Sequence, residues 1–264
     1  MDKLIVNGTH TLLYRDTGSG EPVVLLHGFA EDGAIWTEVA RHLNCRLLIP
    51  DLPGSGRSTL TPDLSIEAMA MAIKELLDRE GIERCILIGH SMGGYIALAF
   101  AELYPERLRA FGLFHSTAYA DSDEKKAARQ KSIAFIREHG AQPFIRQSIP
   151  NLFANETRTD RPGLVEDTID RYQNASPDAL TAHLQAMLQR PDRVPVLKRS
   201  RVPVLFIFGQ KDQIVLPEQS LAQVSVPALS SLHILPGAGH MGMLEEPAAG
   251  AAIIQSFVNF VIQL

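Results

Sequence analysis

Short, nearly uniform apolar runs alternate along this chain with stretches whose apolar positions recur at helical spacing. VVLLH (23–27), RLLIP (46–50), RCILIG (84–89), FGLFH (111–115), VLFIFG (204–209) and SLHIL (231–235) are apolar on both faces. That is the pattern of buried strands in a parallel sheet covered by helices. Ahead of them, LIVNG and TLLYRD read as a strand pair around a turn at Asn7-Gly8. Helical patterns are expected from about Ala34 to Leu43, Ser65 to Glu80, Met92 to Leu103 and Pro247 to Ile262. Ser65 is placed to cap the second of these at its start, and Gly81 at its end.

The rhythm breaks once. From Ser116 to Ser200 no strand-like run occurs, only helical patterns punctuated by Gly140, Pro143, Pro150, Pro162, Pro177 and Pro191. A stretch of that length is too long for a plain loop. The expectation is an α/β fold with a mostly parallel, eight-stranded sheet and helices on both faces. Residues 1–115 and 201–264 would form the core, and residues 116–200 a helical cap inserted after the sixth strand. Such a cap belongs over the carboxyl ends of the strands, where open α/β sheets bind ligands.

Composition narrows the partners. The net charge of −5 offers no basic surface for nucleic acid. The one dense basic stretch, Lys125, Lys126, Arg129 and Lys131, alternates with Asp121, Asp123 and Glu124 and reads as the solvated face of a helix. Cys45 and Cys85 each open an apolar run, so reduced core thiols are expected rather than a disulfide or a metal site. No stretch approaches the roughly 20 apolar residues that span a bilayer, and the N-terminus lacks the features of a signal peptide. A cytoplasmic protein without a membrane partner is expected.

The candidate chemistry centres on Gly89-His90-Ser91-Met92-Gly93. Chance would produce G-x-S-x-G in such a chain about one time in ten, so context decides. This match directly follows the apolar run CILI and precedes the helical pattern YIALAFAELY. A strand–turn–helix passage exposes the serine in a strained position, with a helix N-terminus aimed at the reacting oxygen. A serine nucleophile needs a base, and the base an orienting acid. Asp212 follows the run VLFIFG, and His240 follows SLHIL, giving the order Ser91, Asp212, His240. Asp121, beyond the sixth strand, is a competing acid. The other histidines read as surface or capping residues, and His27 as a packed turn residue. Backbone N–H groups of Met92 and Phe29 are the expected oxyanion donors.

The set HGF, DLPGSGRS, GHSMGG, GQKD and GAGHMGMLEEP resembles the α/β-hydrolase superfamily, in its small capped, esterase-like branch. That branch includes biotin-pathway methyl esterases, enol-lactonases, cofactor-free haloperoxidases and carbon–carbon bond hydrolases. The resemblance spans the chain outside the cap. It implies an α/β-hydrolase fold, a serine hydrolase without metal or organic cofactor, a bracing role for Asp51, and helix packing for Trp36. Epoxide hydrolases and haloalkane dehalogenases of this fold use an aspartate where Ser91 stands. Carbon–carbon hydrolases often carry an aromatic residue at the position of Met241. The expected reaction is cleavage of a small or medium carboxylic ester by a carboxylesterase-like enzyme. Thioesters, lactones, C–C bonds and peracid formation are alternatives on the same triad, and a non-catalytic receptor is a more distant one. Phe29, Phe144, Phe153 and Met241 are expected to contact a small-molecule acyl substrate. Phe135, Ile145, Ile149, Leu152, Met187 and Leu188 are further candidates, or else the cap's own core.

Overall fold

The computed structural model describes residues 1–8 and 10–264. Eight strands form one sheet: β1 (Asp2–Asn7), β2 (His10–Thr17), β3 (Pro22–Leu26), β4 (Arg46–Pro50), β5 (Cys85–His90), β6 (Leu108–Phe114), β7 (Val204–Gly209) and β8 (Ser230–Leu235). Their order is β1-β2-β4-β3-β5-β6-β7-β8. β1 and β2 run antiparallel, as do β2 and β4, and every later pairing is parallel. Every residue of β5 and β7 is buried. Successive strand side chains point to opposite faces, so this burial requires helices on both sides of the sheet.

The helices before the long excursion are α1 (Thr37–Ala40), α2 (Ile66–Arg79) and α3 (Met92–Leu103). Ser65 caps α2 by accepting from Ala68 N–H at 3.0 Å, and Gly81 follows its end at φ +64°. Between β6 and β7 the chain leaves the sheet for α4 (Asp123–His139), α5 (Ala141–Ser148), α6 (Asn155–Asp160), α7 (Pro162–Tyr172), α8 (Pro177–Gln189) and α9 (Val194–Arg199). It closes with α10 (Pro217–Val224), α11 (Gly242–Glu245) and α12 (Pro247–Ile262). Within the described residues, no helix is long and apolar enough to cross a membrane. Cys45 and Cys85 are buried free thiols.

Three sequence expectations are corrected. Asn7 is a strand residue paired with His10, so Gly8, at φ +61°, turns the chain rather than Asn7; residue 9 lies outside the described residues. The helix expected from Ala34 to Leu43 is a 3-10 turn at Gly33–Trp36 followed by the four-residue α1. β8 is not buried on both faces: it ends the sheet, and Leu232 and Ile234 are exposed. An edge strand reads like an interior one when its outer face is apolar, because sequence alternation does not report which strands have two neighbours.

Candidate active site

β5 runs directly into Ser91, and α3 begins at the next residue. Ser91 has φ +49° and ψ −112°, a conformation that side-chain-bearing residues avoid. The turn is held from three directions. Ser91 N–H donates to Phe114 O at 3.0 Å, while its carbonyl accepts from the Ser116 hydroxyl at 2.7 Å and from Gly94 N–H at 3.0 Å. Glycine is obligatory on either side. A Cβ on Gly89 would collide with the Gly93 backbone, and one on Gly93 would meet the backbone carbonyls of Leu26 and His27. The G-x-S-x-G spacing is thus a steric requirement of a strand and a helix joined by a tight turn.

Asp212 lies just past β7 and His240 just past β8, and the fold brings them together. His240 Nδ1–H donates to Asp212 Oδ2 at 2.8 Å, with both side chains buried. The other carboxylate oxygen, Oδ1, accepts from Ile214 N–H at 2.8 Å and Val215 N–H at 3.0 Å. Burial pushes the Asp212 carboxyl up. The His240 charge and hydrogen bonds from both neighbouring histidines outweigh it and hold Asp212 well below the usual carboxylate range. For His240, burial pulls down, but the Asp212 charge and hydrogen bond leave the imidazole raised above its ordinary value. His240 N–H is tied to Leu152 O at 2.7 Å. Ser91 is brought beside this pair through its neighbour, for the His90 and His240 rings lie 4.9 Å apart. No hydrogen bond joins the Ser91 hydroxyl to His240 among the described residues. Such contacts are often long without substrate.

The loop after β3 forms the opposite wall. His27 Nδ1–H donates to Gly28 O at 2.8 Å, and Leu52 N–H donates to His27 Nε2 at 2.9 Å. These partners use both ring nitrogens, and burial lowers the pKa, so His27 is a neutral turn brace. Asp51 braces from below, accepting from Gly33 N–H at 2.9 Å and Arg57 N–H at 3.0 Å. Trp36 is fully buried, edge-on to Phe114 at 5.3 Å. The N–H groups of Phe29 and Met92 donate to no protein acceptor among the described residues. Met92 is the first residue of α3, where the helix leaves donors free and carries its positive pole.

A cavity of about 350 Å³ lies over these loops, lined from the core by Phe29, Tyr95, Gln213 and Met241 and from the insert by Phe144, Ile149 and Leu152. Ser91 and His240 sit outside that lining. Phe144 packs edge-on to Phe29 at 6.1 Å. Phe153, expected here, is instead buried in the core, as are Ile145 and Met187, and Phe135 and Leu188 also fall outside the lining. The spacing of apolar residues on a helix marks a buried face without saying what buries it.

The basic stretch on α4 is not wholly solvated. Lys125 and Arg129 reach the cavity, and Lys125 Nζ donates to Ile214 O at 3.3 Å. Asp121, the competing acid, is bound by Arg129 at 2.6 Å and Arg190 at 2.8 Å. Against the upward push of burial, those guanidinium groups hold its carboxyl down to about 2. It is engaged away from His240.

Sequence reasoning read His27 as a packed turn residue, and it is one, but missed the other buried histidines. His90, His115 and His183 are buried rather than on the surface. His115 follows β6 at φ +50°, and its Nδ1 lies 3.2 Å from Asp212 Oδ2 and 3.1 Å from Gly209 N. Burial pushes it down to about 4. His115, Asp212 and His240 are also the one trio among the described residues with clustered metal-ligand atoms. The 2.8 Å separation of His240 Nδ1 and Asp212 Oδ2 is a hydrogen-bond length, shorter than the roughly 3.3 Å between neighbouring ligands of a tetrahedral zinc ion. The signal for His90 was present in the sequence, since it interrupts an otherwise apolar strand immediately before the serine.

A mostly parallel sheet in this order, with a serine in a tight turn between a strand and a helix, is the architecture of the α/β hydrolases. The chain belongs to the alpha/beta hydrolase fold family, matching it over residues 21–247. Its structure is similar to that of a thermophilic esterase from Thermogutta terrifontis with malate bound, at a TM-score of 0.93 and 31% identity over 99% of each chain. Lipase 1 of Psychrobacter immobilis is 27% identical over 256 residues, 89% of this chain and 76% of that one. The enol-lactonase of Burkholderia xenovorans shares the fold at a TM-score of 0.90 and 22% identity, over 97% of this chain and 100% of that one. Within the family the chain is an esterase-like hydrolase.

Proposed function

We propose that the chain hydrolyses carboxylic esters of small or medium acyl groups through an acyl-enzyme on Ser91. The observation that carries this reading is the 2.8 Å hydrogen bond between Asp212 and His240, at two strand ends beside a strained elbow serine. His240 takes the Ser91 proton as the hydroxyl attacks the ester carbonyl, and Asp212 holds the imidazole tautomer and stabilises the imidazolium. The Phe29 and Met92 amides receive the oxyanion, the alcohol leaves with the proton from His240, and water then cleaves the acyl-enzyme by the same route.

Residues 116–200 act as the cap that selects the acyl group. The cavity's volume of about 350 Å³ is at the small end for ligand sites, which favours short chains. The two buried thiols suit a reducing, cytoplasmic setting. The test is turnover of a p-nitrophenyl acyl ester series, alongside thioesters and lactones, by the wild type and Ser91→Ala. The variant is expected to lose at least about 10³-fold in kcat. Undiminished turnover by Ser91→Ala would overturn the reading.

A further inference from the structure

We propose that Glu31 and His90 form a buried strut that positions the His240 backbone and the oxyanion loop for the reaction. The inference rests on the acyl-enzyme reading above, in which neither residue has a part.

Both side chains are almost completely enclosed, 4% and 1% exposed. Burying an ionisable pair is expensive unless its polar contacts are met, so such a pair calls for an explanation. Its contacts specify the arrangement. His90 Nε2 lies 2.9 Å from the carbonyl oxygen of His240, which can only accept, so Nε2 carries a proton. Glu31 Oε2 accepts from Gly28 N–H at 2.7 Å and lies 3.1 Å from His90 Nδ1. One further proton lies between Nδ1 and Oε2. Whichever atom holds it, the pair is net neutral and each donor faces an acceptor. Against the upward push of burial, His90 and the Gly28 N–H hold the Glu31 carboxyl below its usual range.

The result is a continuous chain from Gly28 N–H through Glu31 and His90 to the His240 carbonyl. It spans three loops: the one after β3 carrying Phe29 N–H, the turn ending in Ser91, and the one after β8 carrying His240. Asp212 orients the His240 ring, while the strut fixes the main chain from which that ring projects. It also fixes the peptide next to Phe29. Shifts of an ångström or less between such groups cost large factors in rate while leaving ground-state binding nearly unchanged.

Three variants test the strut. In Glu31→Gln one atom can no longer both accept from Gly28 and balance a proton on His90 Nδ1, so one contact is lost. His90→Gln retains a donor at the Nε2 position, within reach of the His240 carbonyl. His90→Asn retains one at the Nδ1 position, facing Glu31 alone. Ester hydrolysis is measured per active site, with sites counted by complete fluorophosphonate labelling, so misfolded protein drops out of kcat. Glu31→Gln and His90→Asn are expected to lower kcat by about 10- to 100-fold with KM within about 3-fold, and His90→Gln to recover at least about 5-fold over His90→Asn. Values of kcat within 2-fold of wild type for Glu31→Gln and His90→Asn would overturn the strut. So would equal losses in the two His90 variants, or a change carried by KM. Ser91→Ala measured in parallel separates the two ideas: if it stays active the acyl-enzyme reading fails, and if it is inactive while the strut variants match wild type only the strut fails.

Discussion

The floor and the roof of the cavity are built differently. The floor consists of short loops at the ends of β3, β5, β7 and β8, each anchored in a paired strand. The roof consists of side chains from α4, α5, α7 and α8 and the segment after α5, and no strand holds it. It is tied down by hydrogen bonds. Glu245 accepts from Ala154 N–H at 2.8 Å and the Thr157 hydroxyl at 2.7 Å, while also holding Gly239 N–H at 2.8 Å beside His240. Tyr172 donates to Asp32 at 3.3 Å, and His183 Nε2–H to Pro53 O at 2.9 Å. A rigid floor suits chemistry that needs fixed distances, and a roof of apolar side chains suits selection by shape. Changes to the floor should therefore act on kcat, and changes to the roof on the choice of substrate.

The largest expected effect is on the floor. Asp212→Asn keeps the shape but replaces an acceptor at His240 Nδ1 with a group that can donate, favouring the wrong tautomer. We expect kcat for ester hydrolysis to fall about 10⁴-fold with little change in KM. A loss confined to KM would place Asp212 in binding and erase the contrast with the roof. Next in size is Gly89→Ala, whose methyl would run into the Gly93 backbone, which cannot move aside without shifting α3 against β3. A stability loss of about 3 kcal/mol or more in urea titration is expected. An unchanged midpoint would show that the elbow is looser than a rigid floor allows.

The acid limb of kcat/KM is a finer probe. His240 must be neutral to accept the serine proton, and its raised value means kcat/KM falls as pH drops through a point above the ordinary histidine value of about 6.5. Removing the charge in Asp212→Asn leaves burial dominant, so the limb should move below that value. Stability follows the same pair. The depressed Asp212 carboxyl contributes stability present above about pH 4 and lost as pH falls through its folded value. The raised His240 contributes stability that is full below about pH 6.5 and disappears as pH rises through its folded value. His115 and His183, pushed down to about 4, have no part in a limb near neutrality. A wild-type limb near pH 4 would transfer the base role away from His240.

The same contrast explains what could be read from the sequence. β3, β5 and β7 announce themselves because burial on both faces leaves continuous apolar runs, and the loops after β5 and β7 carry Ser91 and Asp212 at fixed offsets from them. His240 was legible because glycines flank it just past β8, although the exposure of β8 itself was not. Glu31 and His90 were not legible as a pair, since 59 residues separate them and their contact depends on β3 and β5 being neighbours. The roof was the least legible part. Phe144 and Phe153 look alike in sequence, yet one lines the cavity from α5 and the other, in the extended stretch between α5 and α6, fills the core, a difference that only tertiary packing decides. The dual use of Lys125 and Arg129 escaped for the same reason: a charged helix face facing a cavity has the spacing of one facing water.

The smallest expected effect tests the roof directly. Ile149 and Phe144 line the cavity from the insert. Ile149→Trp adds bulk to a space of about 350 Å³, and Phe144→Ala removes an aromatic wall that leans on Phe29. If the roof sorts acyl chains, Ile149→Trp should lower the kcat/KM ratio of an octanoyl to an acetyl p-nitrophenyl ester by about 10-fold. Phe144→Ala should raise that ratio by a smaller factor. Turnover of the acetyl ester should stay within about 3-fold of wild type in both, since fitting a small group in a pocket is worth only about 1–3 kcal/mol. Equal losses on both esters would mean that the insert also holds the floor in place. The link from His240 N–H to Leu152 O would then be the first contact to examine, because there the main chain of the roof is hydrogen-bonded to the main chain of the floor.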